Sequence, residues 1–434
     1  MVADLRSWIN SRAAIGALCL VYCLFITYYF RVIGLHFQNV VGYGYHSSEL
    51  ILILTSFAFN LIPVFILPLR SQRVSISILW IVYFLFFVPA EIVPQYLVDT
   101  DPVDVLWWNA LLLGGFCATV CGHYVPVINI SFPKASLGTW VVGVCTIWVT
   151  LMVALVSTFG TELNFASLDD VYRVRGSFKD SLASSGPLIG YLVVWGGDWL
   201  APLMLVVGLV MNKKKERLGT VLITLALFLS LYIYGIAAYK SVAFSLLACV
   251  AFMYVVAGRV IVPTKFFFVL MGIAILAFVL ATFFDSDFVW HQLLRRLIIS
   301  PGMDAAYYFE YFHRSSTPSG TSAPETICMY AYGNQCSANA GYLAAAYATA
   351  GSTGVVMFGA IAGIALWLVN SLTRGIPLPV LSGCFLMVAY ALSNSALGTV
   401  FGTYGMLLMT VSIALVPLGV FDARPDSGIE RGRV

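Results

Sequence analysis

The chain has 434 residues, of which 60% are apolar and only 10% charged, with a net charge of +3 and a mean hydropathy of +0.92. Soluble domains carry about 25% charged residues, so a soluble enzyme with a peripheral anchor, a disulfide-stapled secreted module and a disordered scaffold are all excluded. The small charge, with no basic run longer than Lys213–Arg217, gives no nucleic-acid partner, and nine cysteines without a C-x-x-C give no zinc framework.

A helix needs about 20 apolar residues to cross the hydrocarbon core, and that window predicts an all-α polytopic membrane protein of about twelve transmembrane helices, one integral membrane domain over 1–434. The spans fall near 14–32, 49–68, 76–93, 106–122, 139–159, 188–211, 218–236, 242–257, 264–285, 341–369, 379–397 and 403–420. The first follows Arg12 without a small-residue cleavage site, so no cleavable signal is expected. Basic residues set the orientation. With both termini cytoplasmic, the inner segments collect Arg6, Arg12, Arg70, Arg73, Lys134, Lys213, Lys214, Lys215, Arg217, Arg259, Lys265, Arg374, Arg424, Arg431 and Arg433, 15 of the 23 Lys and Arg. Two large outer loops, 160–187 and 286–340, hold most of the rest. Long loops in compact domains are usually functional, which puts the function on the outer face.

In the first loop, Ser167 and Asp170 have capping-box spacing and predict a short helix near 168–176, ended by Gly176. It carries Tyr172, Arg173 and Arg175. A guanidinium forks onto two phosphate oxygens, so anion capture at the membrane surface is one reading. Pairing with Asp169, Asp170 or Asp180, or snorkelling to lipid phosphates, is the other. The stretch Asp169-Asp170-Val171-Tyr172-Arg173-Val174-Arg175, with Gly186 eleven residues beyond Arg175, resembles the Arg-x10-Gly motif of O-antigen (oligosaccharide repeat-unit) polymerases, the Wzy type.

Lys240, between the seventh and eighth spans, is an ionisable group at the end of an apolar segment, a candidate for function or for snorkelling. Asp198 lies inside the sixth span. Asp99-Thr-Asp101 and Asp285-Ser-Asp287 each read as a D-x-D, but both sit at span ends without a completing ligand, so no metal is assigned. In the second loop, Leu293, Leu294, Leu297 and Ile298 have helical spacing and predict an interfacial helix, carrying Arg295 and Arg296 and ended by Pro301-Gly302. Asp304, Tyr307, Tyr308, Glu310, Tyr311 and Phe312 follow, a surface of rings and carboxylates suited to a sugar, although an interfacial aromatic belt has the same composition. Cys328 and Cys336 fall in this loop, where an oxidising compartment permits a disulfide. Gly359-x-x-x-Gly363 in the tenth span reads as close helix packing.

The polymerase family carries a second arginine motif in its large late loop. Here neither Arg295 nor Arg296 has a glycine at the family spacing; Gly302 lies six residues after Arg296. What the resemblance implies is a GT-C-like membrane fold in a bacterial inner membrane and an inverting, metal-independent glycosyltransferase without cofactor. Its partners would be undecaprenyl-pyrophosphate-linked glycan donor and acceptor in the lipid bilayer, with a chain-length regulator. Arg175 and Arg296 are then the pyrophosphate ligands, assisted by Arg173, Arg295 and Lys240. Candidate bases are His291, Asp304, Glu310 and Asp170, and Tyr172, Tyr307 and Tyr311 line the substrate. The rival readings are an O-antigen ligase-like transferase and a lipid-linked oligosaccharide flippase.

Overall fold

The computed structural model describes residues 11–37, 39–130, 133–163, 171–256, 263–284, 295–296, 298–315 and 321–421. Among them every regular element is helical. Nine helices among the described residues are long and apolar enough to cross a membrane: Arg12–His36, Val74–Leu97, Pro102–Tyr124, Leu137–Phe159, Pro187–Lys213, Arg217–Ala237, Pro263–Phe283, Tyr342–Leu372 and Leu397–Ala414. That is a polytopic membrane protein, as the hydropathy requires. The other expected spans are shorter or broken. The second is the 17-residue helix Leu50–Ile66, the eighth is Lys240–Val255, and the eleventh divides into Leu378–Cys384 and Leu386–Asn394.

In chain order we label Arg12–His36 α1, Leu50–Ile66 α2, Val74–Leu97 α3, Pro102–Tyr124 α4, Leu137–Phe159 α5, Val171–Ser185 α6, Pro187–Lys213 α7, Arg217–Ala237 α8 and Lys240–Val255 α9. Pro263–Phe284 is α10, Ser300–Arg314 α11, Ala323–Tyr332 α12 and Tyr342–Leu372 α13. Contacts divide the chain into two compact units. One comprises Met1–Val127, Gly258–Asn370 and Val388–Val400; the other comprises Ile128–Ala257, Ser371–Met387 and Phe401–Val434. The sequence reading has one domain. Because the chain passes between the units repeatedly and every segment is apolar, no composition shift or polar linker marks the boundaries.

In the first unit α3 is the core helix, with 94% of its apolar window buried, against 33% for α10. Its π-helical turn Tyr83–Phe87 packs rings on α4, with Phe87 and Phe116 centroids 4.8 Å apart. Helix α4 starts where Asp101 accepts from the Val103 amide at 2.8 Å, with Pro102 behind it, so this half of the first D-x-D is a helix cap. Asp285 and Asp287 lie outside the described residues. Helices α4 and α13 cross at glycines. A Cβ on Gly122 would overlap the Gly363 backbone, and one on Gly359 would overlap that of Gly115, as the G-x-x-x-G spacing predicts.

Basic residues gather at helix C-termini, whose carbonyls lack intrahelical donors. Arg12 Nη1 donates to the Val64 carbonyl at 2.6 Å and Arg73 Nη1 to Val125 at 2.9 Å. In the second unit Lys134 Nζ donates to Ala414 at 2.7 Å. These residues all belong to the segments expected on the cytoplasmic side.

Both long loops contain helix, as expected, but with other ends. Helix α6 does not stop at Gly176 but runs to Ser185. A mid-helix glycine costs only about 1 kcal/mol, and Val174 and Phe178, one turn apart on either side of Gly176, are both buried. The terminator is Gly186, at φ +84. Pro301-Gly302 likewise does not end a helix. Both lie in the first turn of α11, where proline's missing N–H costs nothing.

Candidate functional site

In the second unit, α6 brings Arg175 to the corner between α8 and α9. Arg175 Nη2 donates to the Ala238 carbonyl at 3.1 Å, and its guanidinium lies 5.7 Å from the centroid of the Tyr239 ring. Ala238 is held at φ +50, a left-handed conformation that costs a residue with a Cβ about 1 kcal/mol or more. Phe178, one turn beyond Arg175, meets Tyr239 edge-on at 5.6 Å and stacks on Phe159 at 5.1 Å. Phe178 and Tyr239 then form part of the wall of a cavity of about 320 Å³, shared with Leu182, Pro187, Tyr191 and Val194. A permanent cation therefore stands one helical turn from an apolar, aromatic cavity. Tyr172 and Arg173 lie in the first turn of α6 and Lys240 is the first residue of α9. Asp198 occupies the π-helical turn Gly196–Leu200 of α7, a distortion frequent at functional sites.

The first unit holds a second cluster, around α11. Asp304 is 7% exposed, and its Oδ1 accepts a hydrogen bond from the Tyr332 hydroxyl at 2.8 Å. Burial pushes its carboxyl up to about 7, against the opposing influence of the Tyr332 hydrogen bond and the Arg295 charge. The Arg295 guanidinium lies 5.3 Å from the centroid of the Tyr43 ring, and its Nε is buried without a hydrogen-bond partner. Burial likewise lifts Tyr43 to about 12, while the Arg295 and Arg296 charges pull it down and Asp304 pushes it up. One phenol thus feels both arginines and the aspartate. Arg296 itself is exposed.

Tyr307 is buried, donates to the Gly42 carbonyl at 3.1 Å and meets Tyr332 edge-on at 5.9 Å. It ties the 39–49 segment to α11. Tyr311 is half-buried with its ring 5.1 Å from that of Tyr330, which is exposed. Glu310 shares a hydrogen bond with Tyr330, and burial raises its carboxyl. His291 and Asp170 lie outside the described residues.

The structure thus brings Arg295, Arg296, Asp304 and Tyr307 together in one unit and gives Arg175 its own setting in the other. The sequence reading missed Tyr43, Tyr330 and Tyr332. The alternation Gly42-Tyr43-Gly44-Tyr45 was the available signal, aromatic rings on a backbone free to turn, in a connection too short to attract notice. Cys328 and Cys336 are joined in a disulfide with Cα atoms 5.5 Å apart. The bridge links the last turns of α12 to the segment after it and so fixes the helix that carries Tyr330 and Tyr332. Among the described residues no group of three or more His, Cys, Asp or Glu is arranged to hold a metal.

Compared with known proteins, the chain matches no family model, no curated protein and no solved structure.

Proposed function

We propose that the protein is an inverting membrane glycosyltransferase that polymerises lipid-linked oligosaccharide repeat units, drawing on a polyprenyl pyrophosphate donor at the periplasmic face of a bacterial inner membrane. The observation that carries this reading is the Asp304 cluster. A buried carboxyl poised near neutrality stands with two arginines and several phenol rings within one unit. A general base works best when its pKa lies near the operating pH.

In the proposed step the acceptor hydroxyl oxygen attacks the anomeric carbon of the donor glycan. Its proton passes to Asp304, and the anomeric carbon–oxygen bond breaks with its electron pair leaving on the pyrophosphate. Fixed guanidinium groups stabilise that charge without reorganising. Arg295 and Arg296 are suited to this in their unit. Arg175 is suited to hold a pyrophosphate whose prenyl chain enters the apolar cavity beside Phe178 and Tyr239, where each buried CH₂ contributes about 0.8 kcal/mol. Tyr311 and Tyr330 offer rings for sugar stacking.

A second reading, transport of the lipid-linked oligosaccharide, draws on Glu91, a fully buried carboxylate inside a span. Intramembrane carboxylates are common in ion-coupled pumps and transporters. The test that separates the two uses the purified protein in lipid nanodiscs with defined lipid-linked repeat units, without nucleotide or added metal. A product ladder rising by whole repeats, lost in Arg175→Ala, supports the polymerase. Transfer to a lipid A core acceptor instead supports a ligase, and the absence of any covalent product supports transport.

A further inference from the structure

The interior of the first unit contains a polar network that the transferase chemistry does not use. Glu91 on α3 is completely buried, and neither carboxylate oxygen has a hydrogen-bond partner. Around its backbone, Asn109 of α4 donates from Nδ2 to the Glu91 carbonyl at 3.2 Å and to Ser56 Oγ on α2 at 3.0 Å. Asn60, one turn from Ser56, donates from Nδ2 to the Ser56 carbonyl at 2.8 Å. Those bonds fix both amides, because flipping either would set its oxygen against a carbonyl oxygen. The two amide oxygens, Asn60 Oδ1 and Asn109 Oδ1, are consequently left buried without a donor.

The inventory is lopsided. Among the described residues, four acceptor oxygens of this network lack a donor: both of Glu91 and one each of Asn60 and Asn109. One nearby nitrogen, Gln95 Nε2, lacks an acceptor. Leaving a buried polar group without its hydrogen bond is costly, and an isolated buried charge is far more so. Among the described residues no cation pairs with Glu91. Cys23 of α1 is a titratable neighbour of Glu91. The network also has a route outward. Ser48, partly exposed at the start of α2, donates to Gln95 Oε1 at 3.4 Å, and the same oxygen accepts from Ser56 at 3.3 Å.

We propose that Glu91, Asn60 and Asn109 form an intramembrane site for one small monovalent cation, sodium or a proton, reached through Ser48, Gln95 and Ser56. A single carboxylate balances one positive charge, so a divalent ion would leave net charge buried. Hard carboxylate and amide oxygens suit a proton or an alkali ion. The inference is independent of the transferase reading.

The experiment measures radioactive sodium binding and thermal unfolding of the full-length protein in nanodiscs, with sodium chloride against equal choline chloride, at about pH 6 and about pH 8. The site predicts saturable sodium binding at the higher pH, at least tenfold weaker in Glu91→Gln and in Asn60→Leu, and competition by protons at the lower pH. If the occupant is the proton alone, sodium does not bind, but wild-type unfolding temperature falls between the two pH values and that of Glu91→Gln does not. The proposal is overturned if no sodium binds and wild type and Glu91→Gln respond alike to pH. Should Glu91→Gln fail to assemble, Asn60→Leu decides. Sodium affinity and pH response both unchanged from wild type would overturn the site.

Discussion

At the residue scale, Asp304 is the most exposed to test. Its carboxyl stands near 7 in the folded protein against an ordinary value of 3.8. With the folded pKa raised, the stability it contributes is fully present below about pH 4 and is lost as pH rises through about 7. Asp304→Asn should therefore flatten the fall in unfolding temperature over that window. As general base, Asp304 must be ionised to act, so the rate should rise with pH through about 7, and the asparagine variant should lose that limb together with about 10²–10⁴ in rate. An aspartate that merely braces Tyr332 would leave the pH–rate profile in place. Ala238 gives a second residue-scale prediction. Its left-handed backbone favours glycine, so Ala238→Gly should stabilise the protein by up to about 1 kcal/mol, seen as a higher denaturation midpoint. A loss of stability would mean that the methyl group's packing against Val174 outweighs the strain. The sequence named Arg175, Arg295, Arg296 and Asp304 from their chemistry, but a residue's neighbours across the fold are not written in local spacing. Tyr43 and Tyr332 stand 289 positions apart in the chain (332 − 43), yet their rings approach within 6.5 Å.

At the element scale, apolar spans were legible because twenty-residue hydropathy is a strong signal, while the helices of the polar segments were legible in place but not in extent. Gly176 and Pro301 were read as breakers on local preference, and packing overrode both. Burial of Val174 and Phe178 carries α6 past the glycine, and a proline in a first turn opens α11 instead of closing a helix. The glycine pairs, by contrast, had a spacing that declares itself. Gly363→Leu should drive α13 from α4, since a Cβ there already meets the Ala118 and Thr119 carbonyls at 2.9 Å. We expect a loss of several kcal/mol, or failure to assemble, read by unfolding in mild detergent. The disulfide closes a loop of nine residues, which should contribute roughly 2–3 kcal/mol. Cys328→Ser with Cys336→Ser should lower the unfolding temperature and loosen Tyr332. If Tyr332 helps hold Asp304, the apparent pKa of the reaction shifts as well.

At the scale of the whole molecule, composition alone established a chain of many membrane-spanning helices, whereas the division into two units left no trace in it. Among the described residues each unit sets an arginine against an aromatic ring, Arg175 on α6 against Tyr239 and Arg295 against Tyr43, and other basic residues close helix C-termini. For the proposed reaction both clusters must face the compartment where a lipid-borne diphosphate is presented. Lys179 on α6 and Arg296 before α11 are exposed, so each can carry a reporter. Lys179→Cys and Arg296→Cys, probed with a membrane-impermeant maleimide on right-side-out and inside-out vesicles, read the two faces separately. Labelling of both from the outer side is the result predicted; labelling of either from the cytosolic side contradicts it.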